Sequence, residues 1–165
     1  MNQLYAEAGV KRKDSAVTLL LRVLLIVGII AGGVLLLLGG FLGIAGAALI
    51  ILMFFLLPKL NVEYEYVFVD GQLDFDRITG KSRRKTMLRI DLEQVEIMAP
   101  AESHALDGYT YIQTEQKDYS SGDKSSKPYV IMATVDEKKL KILFEPNEKM
   151  LGMIKQKSPR KLSAY

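Results

Sequence analysis

The residues that could carry chemistry are few. The one histidine, His104, lies in a polar stretch of a chain with no cysteine. A metal site there would need a carboxylate set that the spacing does not supply, so a surface histidine is the plainer reading. Asp74 and Asp76 share a face if their segment is a strand, which is the spacing of a carboxylate pair. Acid–base work also needs a pocket and a partner group, and neither is signalled, so a solvated strand face is expected. The run Ser120-Ser121-Gly122-Asp123-Lys124-Ser125-Ser126 matches neither a nucleophile elbow nor a phosphate-binding loop. No catalytic, cofactor-binding or metal-ligating residue is assigned, no cofactor is implied, and the protein is expected not to be an enzyme.

The one concentrated feature is basic: Lys81, Arg83, Arg84 and Lys85, with Arg77 and Arg89 nearby. One reading is a solvated hairpin turn whose charge protects a strand edge. The other is contact with an anionic surface. That surface is either the inner leaflet, where each nearby basic residue contributes about 1 kcal/mol, or an acidic partner. Nucleic acid is not expected as a partner. From Leu60 onward the chain holds seventeen basic and seventeen acidic residues, and no aromatic stacking motif flanks the cluster.

What must position these residues begins with Ala16 to Leu57. Between Val23 and Leu57 there is no charged, Asn or Gln side chain. That uncharged run would be about 52 Å of helix, against a hydrocarbon core of about 30 Å. Two spans with a tight turn fit instead. Gly39-Gly40 lies near the middle and suits the turn, giving spans of about 16–38 and 41–57. Gly28, Gly32, Gly39, Gly43 and Gly46 include pairs at GxxxG spacing, which lets helix backbones approach closely. They pack the hairpin on itself or serve a contact between copies, so a homo-oligomer stays open. Arg22 lies near the start of the first span and is expected to reach the interface along its own stem. Ala45-Gly46-Ala47 has the small residues of a cleavage site, but the run is long and a further apolar stretch follows, so no cleavage is expected.

Charge sets the orientation. Lys11, Arg12 and Lys13 precede the first span, Lys59 follows the second, and the turn carries no charge. Positive flanks stay on the cytoplasmic side, so both termini are expected in the cytoplasm of a two-span protein of the cell membrane. The high pI of 9.0 comes from these juxtamembrane residues.

Residues 1–15 form a short, mobile polar N-terminal arm. From Leu60 the periodicity changes to two. Val62, Tyr64, Tyr66 and Phe68 alternate with Glu63 and Glu65, Asp70-Gly71 is a hairpin turn, and Leu73 and Phe75 alternate with Asp74 and Asp76. Met87 to Leu92 continues a meander, and Leu92 to Met98 is a strand or a turn of helix. Residues 100–128 read as a long polar loop, with a short strand at Tyr109 to Thr114 and an unanchored segment at Ser120 to Lys127. Tyr129 to Val135 and Leu140 to Phe144 are strands. Pro146 to Lys157 is a helix with an apolar stripe of Met150, Leu151 and Ile154 that caps the strands. Residues 158–165 are a basic tail. The fold class is a membrane α-helical hairpin plus a mainly-β domain over residues 60–157.

Six or seven strands closed by one helix resemble the pleckstrin-homology-like (PH-like) fold, an antiparallel barrel capped by its last helix. The residues behind the likeness are the hairpin Tyr64 to Thr79, the basic segment Asp76 to Lys85, and the passage Leu143-Phe144-Glu145-Pro146-Asn147-Glu148-Lys149-Met150. The chain is also similar to small uncharacterised bacterial membrane proteins with two spans leading into such a cytoplasmic domain. The resemblance implies a fold and no reaction. Eukaryotic members often bind inositol phosphates through basic residues of the first strand pair. Here that pair holds Glu63, Glu65, Asp70, Asp74 and Asp76, which argues against the same ligand. The expected role is a non-catalytic interaction module anchored in the bilayer, touching anionic head groups or another protein. The alternative is an accessory subunit that packs with another membrane protein through its glycine-lined spans. An undetected enzyme ranks behind both.

Overall fold

The computed structural model describes residues 4–80, 82–123 and 125–163. The chain divides into two compact units. One holds residues 13–62 and 79–83, and the other holds the remainder.

The first unit is a helical hairpin. Helix α1 spans Ala16–Leu37 and α2 spans Gly40–Leu56, followed by a 3-10 turn at Leu57–Leu60. Ser15 starts α1, its hydroxyl accepting from the Thr18 amide at 3.2 Å, which satisfies one of the donors a helix start leaves free. Gly39 and Gly40 make the turn at φ 71° and 55°, conformations that a side chain resists. Both helices are long and apolar enough to cross a membrane.

Glycines set the helix contact. A Cβ on Gly46 would stand 2.5 Å from the Gly32 carbonyl oxygen and 2.7 Å from the Leu36 nitrogen, so backbone meets backbone there. Gly28 faces Met53, and Gly43 faces the Leu36 carbonyl at 3.3 Å. Four of the five glycines singled out thus face the opposite helix, and the fifth, Gly39, forms the turn. Arg22 does not act alone. Its guanidinium holds Asp14 at 2.8 Å and the Asn61 amide oxygen at 3.0 Å, which joins the first turns of α1 to the residue just beyond α2.

Among the described residues the second unit has eight strands in two sheets, not six or seven in a closed barrel. The strands are β1 (Tyr5–Lys11), β2 (Val62–Val69), β3 (Gln72–Thr79), β4 (Arg83–Asp91), β5 (Val95–Pro100), β6 (Glu115–Asp118), β7 (Tyr129–Val135) and β8 (Lys138–Phe144). One sheet has the order β1-β2-β3-β4 and the other β5-β7-β8-β6. Tyr5–Lys11 of the N-terminal arm is therefore a strand. β1 pairs antiparallel with β2 from Tyr5 opposite Val69 to Lys11 opposite Glu63, so the residues before α1 and after α2 lie side by side. Ala6 is fully buried, with Ala8 and Val10 packing behind it, and this inward row commits the segment to a sheet.

Both sheets contribute to a single core. Tyr66, Phe75 and Phe144 meet edge to face with ring centroids 5.5–5.8 Å apart, and Phe75 stacks on Tyr119 at 5.1 Å. The Tyr66 hydroxyl donates to the Tyr119 carbonyl at 2.5 Å, and burial raises the pKa of this phenol well above its usual range.

Helix α3 (Glu148–Lys157) packs on β1 and the core. Asn147 is its cap: the side-chain oxygen accepts from the Met150 amide, and the side-chain nitrogen donates to the Glu7 carbonyl, each at 2.8 Å. Met150 and Ile154 are fully buried and Met153 packs behind them, whereas Leu151 is only half-buried and lies outside the core. The inward stripe is 150, 153 and 154, not 150, 151 and 154. Both spacings are helical, and the angle at which α3 meets the sheet selects between them.

Three loop expectations also change. Leu92–Gln94 is a 3-10 turn leading into β5, so that stretch is helix turn and strand in succession. The stretch 109–114 holds no strand; 3-10 turns at His104–Tyr109 precede a strand at Glu115–Asp118 that runs parallel to β8. The serine loop is anchored by polar contacts. Ser121 donates to Glu145 through both its amide and its hydroxyl at 2.7 Å, and Arg12 donates to the Ser120 carbonyl at 3.1 Å. The basic tail is likewise docked: the Met98 amide donates to the Lys161 carbonyl at 2.7 Å and the Ser163 amide to the Met98 carbonyl at 2.8 Å.

Candidate functional site

The basic cluster occupies the turn between β3 and β4 and the first half of β4. Lys81 lies outside the described residues. Arg83, Arg84, Lys85, Thr86 and Met87 are all exposed, because this part of β4 extends past the core on both of its faces. The turn itself belongs to the helical unit. The Gly80 amide donates to the Asn61 carbonyl at 3.1 Å, and a Cβ on Gly80 would touch the Pro58 carbonyl at 3.4 Å. Gly80 is thus held against the segment that ends α2, which also carries the exposed Lys59.

The cluster does not act as one charge. Arg84 pairs with Glu65 and, through Nε at 3.3 Å, with Asp76. Asp76 is 6% exposed, so it does not belong to a solvated strand face as its alternation with Phe75 suggested. One of its oxygens, Oδ1, has no hydrogen-bond partner. Two covered carboxylates against one guanidinium make Arg84 an internal counter-ion. Arg89 is similarly committed, holding both oxygens of Asp74 at 2.8 and 2.7 Å. Among the described residues, Arg83 and Lys85 have no ion-pair partner, nor does the exposed Arg77 of β3. The acids of the first strand pair, which weighed against an anionic ligand, are therefore partly neutralised at home. The cations left over face solvent.

The paired carboxylates set the response to acid. The bidentate contact from Arg89 holds the Asp74 carboxyl below its usual range, against an opposing effect of burial and with help from Gln72. At Asp118 burial raises the pKa, but it is outweighed by the hydroxyl and amide of Ser120 and by Arg12, so the net shift is again downward. A carboxylate whose pKa is lower folded than unfolded stabilises the fold above its unfolded pKa of about 3.9, and that contribution fades as pH falls through the folded value. Denaturant titrations should therefore show stability falling as pH drops below about 4. Arg89→Met should lower the plateau at neutral pH and flatten that acid loss. An unchanged slope would remove the Asp74 pair from the account.

His104 is fully exposed, and its ring nitrogen lies 3.2 Å from Asp107. No group of three or more potential ligands is placed to hold a metal among the described residues. The element that the sequence reading missed is Asn61, which joins both Arg22 and Gly80. Its signal was present in the sequence: a polar residue shortly after an apolar span lies where head groups would be.

Two sheets around one core, closed by a C-terminal helix, fit a PH-like domain. The chain belongs to the bacterial PH-like domain family (DUF6106), whose profile matches residues 2–164. No curated protein and no solved structure matches it.

Proposed function

We propose that the protein is a membrane-anchored, non-catalytic module that presents its PH-like domain at the inner face of the cell membrane. The β1–β2 pairing carries this reading. Lys11 and Glu63 are partners, so the two chain ends that flank the hairpin are kept together, which suits two antiparallel spans entered and left on one side. The basic flanks Lys11, Arg12, Lys13 and Lys59 make that side the cytoplasm. Arg83, just after the turn whose Gly80 amide donates to the Asn61 carbonyl, then lies at head-group depth. Anionic lipid is the partner this favours, at about 1 kcal/mol per basic residue near the surface. The accessory-subunit alternative has less support, because Gly32 and Gly46 are occupied by each other; of the glycines in α1, only Gly33 has open space around it.

Cysteine labelling tests the arrangement, since the chain has no cysteine of its own. A cysteine at Ser163 should resist an impermeant thiol reagent in intact cells and react after permeabilisation, while one at Leu38 in the turn should label from outside. Labelling of Ser163 in sealed cells would reverse the topology.

A further inference from the structure

The outer face of the second sheet is covered, although it lies away from the core. Val130 and Met132 are 2% and 4% exposed, yet both lie outside the core cluster, which takes Ile131 and Ala133 from the same strand. What shields them is the segment 101–114. Its shape is its own: Ser103 caps the 3-10 turns by accepting from the Ala105 amide at 3.3 Å, and Ala101 is tied to the Pro128 carbonyl at 2.9 Å. A compact loop held by its own hydrogen bonds commonly carries function. Between this loop and the sheet lies a cavity of about 340 Å³, within the size range of small-molecule sites.

The lining is chemically asymmetric. Leu106 and Ile112 on the loop side supply its apolar surface, and Met132 and Val130 reach it with only a few per cent of theirs. Lys141, the cross-strand partner of Met132, is half-buried beside them. Its neighbours on the sheet are paired, Lys139 with Glu96 at 3.6 Å and Lys117 with Glu115 at 2.5 Å. Lys141 has no ion-pair partner among the described residues. A half-buried ammonium beside apolar surface favours an anion that brings its own apolar body. Glu102 and Asp107 also line the cavity and are exposed, so a second negative charge on the ligand would be repelled.

We propose that this cavity binds a small organic monoanion, a carboxylate with a compact apolar body, whose charge is received by Lys141 and whose body lies against Leu106 and Ile112 of the 101–114 loop, beside the Met132 side chain. The site is independent of the basic turn and of the membrane contact proposed above.

The test uses the full chain in lipid nanodiscs with carbon-13 methionine methyl groups. Benzoate is the probe and benzylamine its charge-reversed control. The Met132 methyl resonance, assigned with Met132→Leu, should move saturably with millimolar benzoate and stay in place with benzylamine. Lys141→Met should weaken benzoate binding by about tenfold or more, the loss expected for one charge-assisted hydrogen bond, while Lys141→Arg retains it. The proposal is overturned by a Met132 resonance that ignores benzoate, by an equal response to benzylamine, or by unchanged affinity in Lys141→Met. A shift shared equally with Met53 of α2 would be partition into the bilayer and would overturn it too.

Discussion

Ile154→Ala should lower the stability of the β-rich unit by about 2–5 kcal/mol, and Leu151→Ala by much less. Ile154 has no exposed surface and belongs to the core cluster with Met150 and Phe144. Truncating such a side chain removes its transfer energy and leaves a cavity that packed neighbours fill only in part. Small domains are stable by only about 5–15 kcal/mol, so the loss is a large share. Leu151 is half-buried and outside the cluster, so truncation there opens no enclosed void. The readout is denaturant unfolding followed by tyrosine fluorescence. The chain has no tryptophan, and Tyr66 and Tyr119 sit inside the core. Equal losses in the two variants would mean that α3 does not pack as described. If Leu151→Ala were the costlier, the helix would present its other face, as the sequence stripe suggested.

The second large effect is expected in the hairpin, with Gly46→Val. The added Cβ would fall 2.5 Å from one backbone atom of α1 and 2.7 Å from another. Neither can rotate aside as a flexible side chain could, so the helices must separate along their length. Overpacking typically costs about 1–3 kcal/mol where side chains can adjust, and backbone contact on both sides leaves less room to do so. Gly33→Val is the control, since nothing lies within 4 Å of that position. Cysteines at Gly28 and Met53, which face each other, should form a disulfide readily in the parent and in Gly33→Val. Gly46→Val should lose it. Persistent cross-linking in Gly46→Val would show that Gly46 does not set the helix contact.

Much of this architecture could be read from residue order alone, wherever one force dominates a segment. The uncharged run from Val23 to Leu57 admits little but helix, and the paired glycines mark its turn within a residue. Alternation placed β2 and β3 because large apolar residues recur at every second position. β1 has the same alternation, but its inward residues are Ala6, Ala8 and Val10, and alanine gives a strand little propensity to show. β6 is Glu-Gln-Lys-Asp and has no apolar residue at all; it exists because β8 offers it a backbone edge. The basic turn was legible as charge, but its division was not. Only the fold brings Glu65 and Asp76 to Arg84 across two strands, which separates structural cations from those left facing solvent.

The pairing of β1 with β2 also constrains the order in which the protein can be made. β1 emerges from the ribosome first, yet the strand it pairs with lies beyond both helices. Until the entire hairpin has been synthesised, a short segment with buried positions such as Ala6 has nothing to bury them against. The four-stranded sheet therefore cannot be completed before the hairpin. Hairpin synthesis and folding of the β-rich unit are thus successive steps, and a chain stopped within the hairpin leaves β1 without its partner.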